Sequence, residues 1–217
     1  MLLSLVAFLL LNTTVPSTVT PGISRSQLKL PSTTATQQNA AIIYSDHGGF
    51  MVSVPKGWVL DRATGQKMGT CCVLYPQGST WDQASSVIYP NIAEKQPGQT
   101  LQQLMSSDLD GFKQRFPNMN VTEAKDLPAG DSQLAKVRFF YGVNQGSYEL
   151  VAYVDEPQVV ALLVLSSRSK QALGEALPAF REVLKSYVYM DMTTGASVGL
   201  TAKLNQLWRQ PPSAVPT

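Results

Sequence analysis

The stretch from Gly48 to Asp61, GGFMVSVPKGWVLD, predicts where the folded domain begins. Every second residue from Phe50 to Val54 is large and apolar, which is the alternation of a half-buried strand. Pro55 cannot donate a hydrogen bond to a sheet and ends that strand, and Gly57 tolerates a positive φ in the turn that follows. We therefore expect a strand, a tight turn and then a buried Trp58.

Length and charge limit the class of protein. The chain has 217 residues, 44% of them hydrophobic, which suffices for one domain of about 150 residues with flanking segments. Its 17 basic and 15 acidic side chains give a net charge of +2, too balanced for a protein that neutralises many phosphates. We therefore expect no nucleic-acid partner. Charged residues make up only 15% of the chain, against about 25% in an ordinary soluble domain, which favours an exported protein.

The first 40 residues predict an export signal and a spacer. Leu2 to Leu11 form an apolar run as long as a signal-peptide core and too short to cross a bilayer. We assign residues 1–22 to a signal peptide and residues 23–40 to a flexible Ser/Thr/Pro/Gln-rich spacer. No Lys or Arg precedes the run, so an uncleaved segment that keeps the protein near a membrane stays an alternative. The expected location is periplasmic or extracellular.

Residues 41–190 predict the domain. Apolar runs between turn residues indicate eight strands, at residues 42–44, 49–54, 71–75, 85–92, 121–127, 133–141, 147–154 and 159–165. Thr100 is a good N-cap for a helix that Pro117 ends, with apolar residues at three- and four-residue spacing between them. The run Val159 to Leu165 is apolar on both faces, as in a central strand covered by helices on both sides.

The end of the chain predicts a second helix and a tail. Pro178 either kinks a helix that contains it or lies in the first turn of a shorter helix beginning near Ala176, and we favour the shorter helix. Residues 191–217 form a C-terminal tail, in which residues 199–208 have the spacing of a short helix.

Three motifs together resemble the PsbP-like superfamily. They are GFMVSVPKGW at residues 49–58, the hairpin RFFYG to YELVAY between residues 138 and 153, and FREVLKSY at residues 180–187. The resemblance implies an α+β fold, an α-β-α sandwich with a central antiparallel sheet flanked by helices. Its matching positions are structural, so it carries over no catalytic residue, and its fold serves unrelated functions.

Cys71 and Cys72 are the only thiols of the chain. Side chains of adjacent strand residues point to opposite faces, so a bond between these two would close a strained eight-membered ring. We expect at least one of them to be a small core residue. A cysteine nucleophile would need a base, and His47 is the only histidine.

Other catalytic patterns are weak. His47 is expected in a solvated turn, which leaves too few ligands for a metal site. Asp108 with Asp110, and Asp155 with Glu156, are the nearest carboxylate pairs, and we expect both to be solvated. The sequence therefore predicts no catalytic, cofactor-binding or metal-binding residue.

The interpretation that follows is an exported, non-catalytic binding or assembly module with a protein partner. Trp81, in a predicted loop, either caps the core, which we favour, or reaches outward. If it is exposed, Trp81 with nearby Tyr75 is the candidate surface for that partner, because exposed aromatic side chains are typical interface hot spots. The alternative is an enzyme that uses Cys71 or Cys72.

Overall fold

The computed structural model describes residues 40–143 and 147–191. In chain order these residues form β1 (Ala40–Ser45), β2 (Gly48–Ser53), β3 (Trp58–Asp61), α1 (Arg62–Lys67), β4 (Val73–Pro76), β5 (Ser86–Glu94), α2 (Leu101–Arg115), β6 (Asn120–Ala129), β7 (Gln133–Val143), β8 (Ser147–Asp155), β9 (Val159–Ser167), α3 (Lys170–Lys185) and β10 (Val188–Met190).

The strands make two antiparallel sheets. The large sheet has seven strands in the order β3-β4-β5-β9-β8-β7-β6, and the small sheet has three in the order β1-β2-β10. The predicted central strand is confirmed, because β9 lies fourth of seven and every one of its residues is buried. β9 pairs with β5 from Ser86 opposite Ser167 to Glu94 opposite Val159.

The large sheet separates two apolar cores. On one face, Leu104, Met105 and Phe112 of α2 pack with the alternate residues Val151 and Tyr153 of β8. On the other face, α3 and the small sheet cover the opposite set of sheet residues. The α+β class and the helix-flanked antiparallel sheet predicted from the sequence are therefore confirmed.

The turn in the opening stretch folds as predicted, but β2 is not half-buried, since Met51 is buried as well as Phe50 and Val52. β2 ends at Ser53, Gly57 takes a φ of 78°, and the Trp58 N–H donates to the Pro55 carbonyl at 3.1 Å. Trp58 is 8% exposed and belongs to the core beneath α3 and the small sheet. After this turn the Trp58 indole packs in the core, and Trp58 begins β3, the first strand of the large sheet.

The predicted start of the last helix, near Ala176 with Pro178 in its first turn, is wrong. α3 runs from Lys170 to Lys185 with Pro178 inside it, and the Ser169 side chain caps its start by accepting from the Ala172 N–H. Proline lacks the N–H that would bond the carbonyl four residues back. That carbonyl belongs to Gly174, which is exposed, so water can satisfy it and the helix continues.

The predicted strand position of the two thiols is also wrong. β4 begins at Val73, and Cys71 and Cys72 lie in the bend before it. Their Sγ atoms are 2.7 Å apart rather than on opposite faces. The cause is α1, a six-residue helix that turns the chain back just before β4.

Two predicted segments lie outside the described residues. They are residues 1–39, with the expected signal peptide and most of the spacer, and residues 192–217, with the expected terminal helix. Within residues 40–143 and 147–191, no helix has both the length and the apolar character that a membrane span requires.

Candidate functional site

Trp81 and Tyr75 lie on the α2 side of the large sheet. Tyr75 belongs to β4, Trp81 lies in the turn region before β5, and both side chains are half-buried against the core beneath α2. Burial, a hydrogen bond to Asp61 and the charge of nearby Asp82 raise the pKa of Tyr75. The structure therefore brings the two aromatic residues to one end of the same sheet face.

Trp81 forms one wall of a shallow surface groove, which we call the Trp81 groove. It is lined by Met68, Gly69, Thr70, Val73, Trp81, Tyr89 and Asn91. Its free volume of about 10 Å³ is that of a single water molecule. The groove is too small for a metabolite, so its chemistry is that of a contact surface with a partly exposed indole.

Asp61 holds Tyr75 against the start of α1. Its carboxylate accepts from the Thr64 N–H at 2.9 Å, from the Thr64 hydroxyl at 2.7 Å and from the Tyr75 hydroxyl at 3.0 Å. Burial disfavours the charged form of Asp61, but these hydrogen bonds outweigh it and lower its pKa. The Tyr75 hydroxyl is thereby fixed at the start of α1, while the ring packs against the core beneath α2.

The two thiols lie near the groove but have no histidine partner. The Cys71 side chain is half-buried and Cys72 is completely buried. The imidazole of His47 instead contacts Glu94, with Nδ1 3.1 Å from Oε1. The geometry thus lacks the histidine base that a cysteine nucleophile would need.

A buried polar cluster lies between α2 and the large sheet, and we call it the α2 cluster. Its members are Asp108, Arg138, Glu149, Tyr153 and Ser166. The Tyr153 hydroxyl donates to Asp108 at 2.6 Å and the Ser166 hydroxyl donates to Glu149 at 3.0 Å. Arg138 donates to the Met105 carbonyl of α2 and, at 2.9 Å, to the Glu123 carboxylate.

Burial raises the pKa of both carboxyl groups in the α2 cluster. The pKa of Glu149 rises to about 7, with the Ser166 hydrogen bond only partly opposing the loss of hydration. Burial also raises the pKa of Asp108, opposed by the hydrogen bond from Tyr153. Such shifts occur in catalytic sites and in structural networks alike. Here each of the five polar side chains is engaged by another protein group. The Tyr153–Asp108 and Arg138–Met105 hydrogen bonds fasten α2 to the sheet, and the Ser166–Glu149 bond joins two of its strands.

The expected solvation of the carboxylate pairs is wrong for Asp108 and Glu156. Asp108 lies four residues after Leu104 and four before Phe112, so its half-buried side chain is on the same side of the helix as those two buried residues. Glu156 is buried and accepts from the Tyr187 hydroxyl at 2.8 Å. Asp110 and Asp155 are exposed as expected.

Sequence reasoning missed Glu149, although a signal was present. Glu149, Val151 and Tyr153 alternate along one strand, and their common side is the side that packs under α2. A carboxyl group in that series must be buried if its neighbours are.

His47 lies in an exposed turn as predicted and faces a broad polar basin. The basin encloses about 700 Å³ and is lined mainly by the loops at residues 94–99 and 157–158. The hydrogen bond from His47 lowers the pKa of Glu94. Within residues 40–143 and 147–191, no three His, Cys, Asp or Glu side chains gather closely enough to hold a metal ion.

Comparisons with known proteins relate the chain to others by structure. No protein-family model matches it, and no curated protein is similar to it in sequence. It resembles the solution structure of cyanobacterial PsbP (CyanoP) from Synechocystis sp. PCC 6803, with 13% sequence identity and a TM-score of 0.45 over 74% of this chain and 98% of that chain. This likeness assigns no role to any residue of the chain.

Proposed function

We propose that the protein is an exported, non-catalytic module that binds another protein through the surface formed by Trp81, Tyr75 and the Trp81 groove. The observation that carries this proposal is the half-exposed indole of Trp81 beside a groove of single-water size. Such a surface suits contact with the surface of another protein better than enclosure of a free metabolite. Tryptophan and tyrosine are also enriched among residues that dominate binding energy.

The organisation of the polar groups supports a non-catalytic role. The raised pKa values of Asp108 and Glu149 belong to a network whose members engage one another under α2. His47 is engaged by Glu94, away from both thiols. Within residues 40–143 and 147–191, these acids and the histidine therefore do not converge on one cavity.

The test is affinity for a partner isolated from the native source and then purified. We expect Trp81→Ala to weaken binding by about 30-fold or more, the effect of losing a hot-spot residue worth about 2 kcal/mol. Met68→Arg should also weaken binding, because it fills the groove while leaving the indole in place. Calorimetric titration of each variant gives the affinity.

The control is Tyr44→Ala, which removes an aromatic side chain that is 70% exposed on the small sheet, on the opposite side of the large sheet. It should bind like the unmodified protein. Unchanged affinity in both Trp81→Ala and Met68→Arg would rule out this surface. N-terminal sequencing of the protein from its source tests export, since cleavage near residue 22 is expected.

A further inference from the structure

The vicinal thiols are positioned for a reaction that the binding function does not use. The Sγ atoms of Cys71 and Cys72 are 2.7 Å apart, whereas a disulfide bond is about 2.05 Å long. Bond formation would therefore need less than about 1 Å of sulfur movement. The chain has two cysteines in all, so each thiol has the other as its only intramolecular partner.

The bend that carries these thiols is held from two sides. Helix α1 packs on the Cys72 backbone so closely that a Cβ on Gly65 would lie 2.3 Å from the Cys72 Cα. Thr70 donates its N–H to the Gly65 carbonyl at 3.0 Å and its hydroxyl to the Pro90 carbonyl of β5 at 2.8 Å. The closeness of the sulfur atoms is thus set by packing and backbone hydrogen bonds.

The two thiols are chemically unequal. A hydrogen bond from Cys72 and the charge of Arg62 lower the pKa of Cys71, although burial opposes them. The same hydrogen bond, together with burial, raises the pKa of Cys72. Only Cys71 is partly exposed, since Cys72 has no accessible surface. Because only Cys71 is accessible, a disulfide in solution reaches Cys71 first, and Cys72 is left as the second, resolving thiol.

We propose that Cys71 and Cys72 form a thiol–disulfide exchange site that reacts with low-molecular-weight disulfides, such as glutathione disulfide, and closes to a vicinal disulfide. This inference does not depend on the binding function proposed for Trp81.

The reaction has two exchange steps. The Cys71 thiolate attacks one sulfur of glutathione disulfide, forming a mixed disulfide and releasing one glutathione thiolate. The Cys72 sulfur then attacks Cys71 Sγ, the mixed disulfide breaks, and the second glutathione leaves with the proton that Cys72 gives up. Two protein thiols are oxidised, and one glutathione disulfide is reduced to two glutathione molecules.

The product is expected to be reversible. A disulfide between adjacent residues closes an eight-membered ring whose geometry departs from the relaxed one, and strained disulfides are readily reduced. Reduced glutathione should therefore restore both thiols. The site would act as a reversible modification site and not as a permanent crosslink.

The experiment treats the folded, full-length protein with glutathione disulfide at neutral pH and follows intact mass without reductant. The expected product has lost two hydrogen atoms, carries no glutathione, and has both cysteines protected from iodoacetamide. Excess reduced glutathione should reverse all three changes. Retained glutathione on the unmodified chain, a disulfide-linked dimer, or reaction only after denaturation would each overturn the proposal.

Two variants separate the roles of the thiols. Cys72→Ser should retain one glutathione on Cys71, because the resolving thiol is gone. Cys71→Ser should stay unmodified while folded and react after denaturation, because Cys72 is completely buried. Urea unfolding verifies that each variant is folded, and Cys72→Ala replaces Cys72→Ser if the buried hydroxyl prevents folding. Modification of folded Cys71→Ser as fast as the unmodified chain would contradict the assigned order.

Discussion

Glu149 is a buried acid that the folded chain holds more readily as the neutral group. Its side chain is closed off between α2 and the large sheet, where it accepts from Ser166 and faces the charges of Arg115 and Asp108. Burial raises its pKa from 4.5 to about 7. The folded state thus binds this proton more tightly than the unfolded state. The stability linked to protonated Glu149 is present below about pH 4.5 and is lost as the pH rises toward 7.

We expect Glu149→Gln to remove this pH dependence. Glutamine keeps an oxygen that can accept from Ser166 and carries no charge at any pH. The two pKa values correspond to about 3 kcal/mol. The free energy of unfolding of Glu149→Gln, relative to the unmodified chain, should therefore rise by about that amount between pH 4 and pH 8.

Urea unfolding at several pH values measures this difference. Glu182→Gln, at an exposed position on α3, is the matched control and should show a nearly constant difference. A constant difference for Glu149→Gln as well would mean that Glu149 is hydrated in the folded state.

Gly65 is a second position where one residue controls a contact. Its missing side chain lets α1 lie on the Cys72 backbone, and an added Cβ would come within 2.7 Å of three backbone atoms of Cys72. We expect Gly65→Ala to destabilise the protein by about 1–3 kcal/mol, the usual cost of overpacking. Thermal unfolding gives the change.

Gly174→Ala is the control for this prediction. A Cβ at Gly174 of α3 has no neighbour within 4 Å, so the substitution should stabilise the helix by about 0.5–1 kcal/mol. Equal effects of the two substitutions would contradict the close packing of α1 on Cys72.

At the scale of elements, α3 shows how a helix tolerates an internal proline. The proline removes the hydrogen bond to the Gly174 carbonyl, and Gly174 is exposed to solvent. Phe180, Val183 and Leu184 of the same helix remain buried in the core. Burial of that apolar face stabilises the helix more than the lost backbone hydrogen bond weakens it.

We expect Pro178→Ala to stabilise the protein by about 2–2.5 kcal/mol. Alanine is about 3 kcal/mol better than proline inside a helix, and the lost restriction of the unfolded chain offsets about 0.4–1 kcal/mol of that gain. The midpoint of urea unfolding measures the effect. Glu182→Ala, also exposed on α3, should change it little. A lower midpoint for Pro178→Ala would mean that the proline ring itself packs favourably.

The sequence predicted the long elements and missed the short ones for a physical reason. The N-cap Thr100 and the apolar residues at three- and four-residue spacing predict α2, and seven consecutive apolar residues predict β9. α1 and β10 have six and three residues, too few for a period to appear. Their positions depend on tertiary contacts, with α1 on Cys72 and β10 on β2.

The candidate site was predictable only in part. Trp81 and Tyr75 were selected by residue type and position, and the structure places both on one sheet face. The groove itself requires β4, β5 and the bend at residues 68–70 to meet, which no local pattern reveals. The proximity of the two thiols likewise depends on where α1 turns the chain.

At the scale of the whole molecule, the described residues contain two complete cores. Both faces of the large sheet are covered, one by α2 and the other by α3 with the small sheet. β1 contributes the buried residues Ala41 and Ile43, and β10 contributes Met190. The closure of both cores within this part of the chain favours a domain boundary near residues 40 and 191.

We expect a chain trimmed to residues 40–191 to unfold in one cooperative transition, with a stability within about 0.5 kcal/mol of the full chain. Urea unfolding of both chains checks this. Trimming to residues 46–191 is the control and should be clearly destabilising, because it removes β1. Loss of cooperativity in the 40–191 chain would place part of the core outside those residues.

The small sheet also determines how the domain would respond to a mechanical pull. Ala40, the first residue of β1, pairs with Ser53, and Met190, the last residue of β10, pairs with Gly49. Ala40 and Met190 therefore lie beside opposite ends of β2, about 13 Å apart along the strand. Tension between Ala40 and Met190 would slide β1 and β10 past β2 in shear, loading their hydrogen bonds together. Tension between Ala40 and Ser53 would instead unzip one pair at a time at a lower force. β10 has three paired residues and β1 has six, so β10 would slip first.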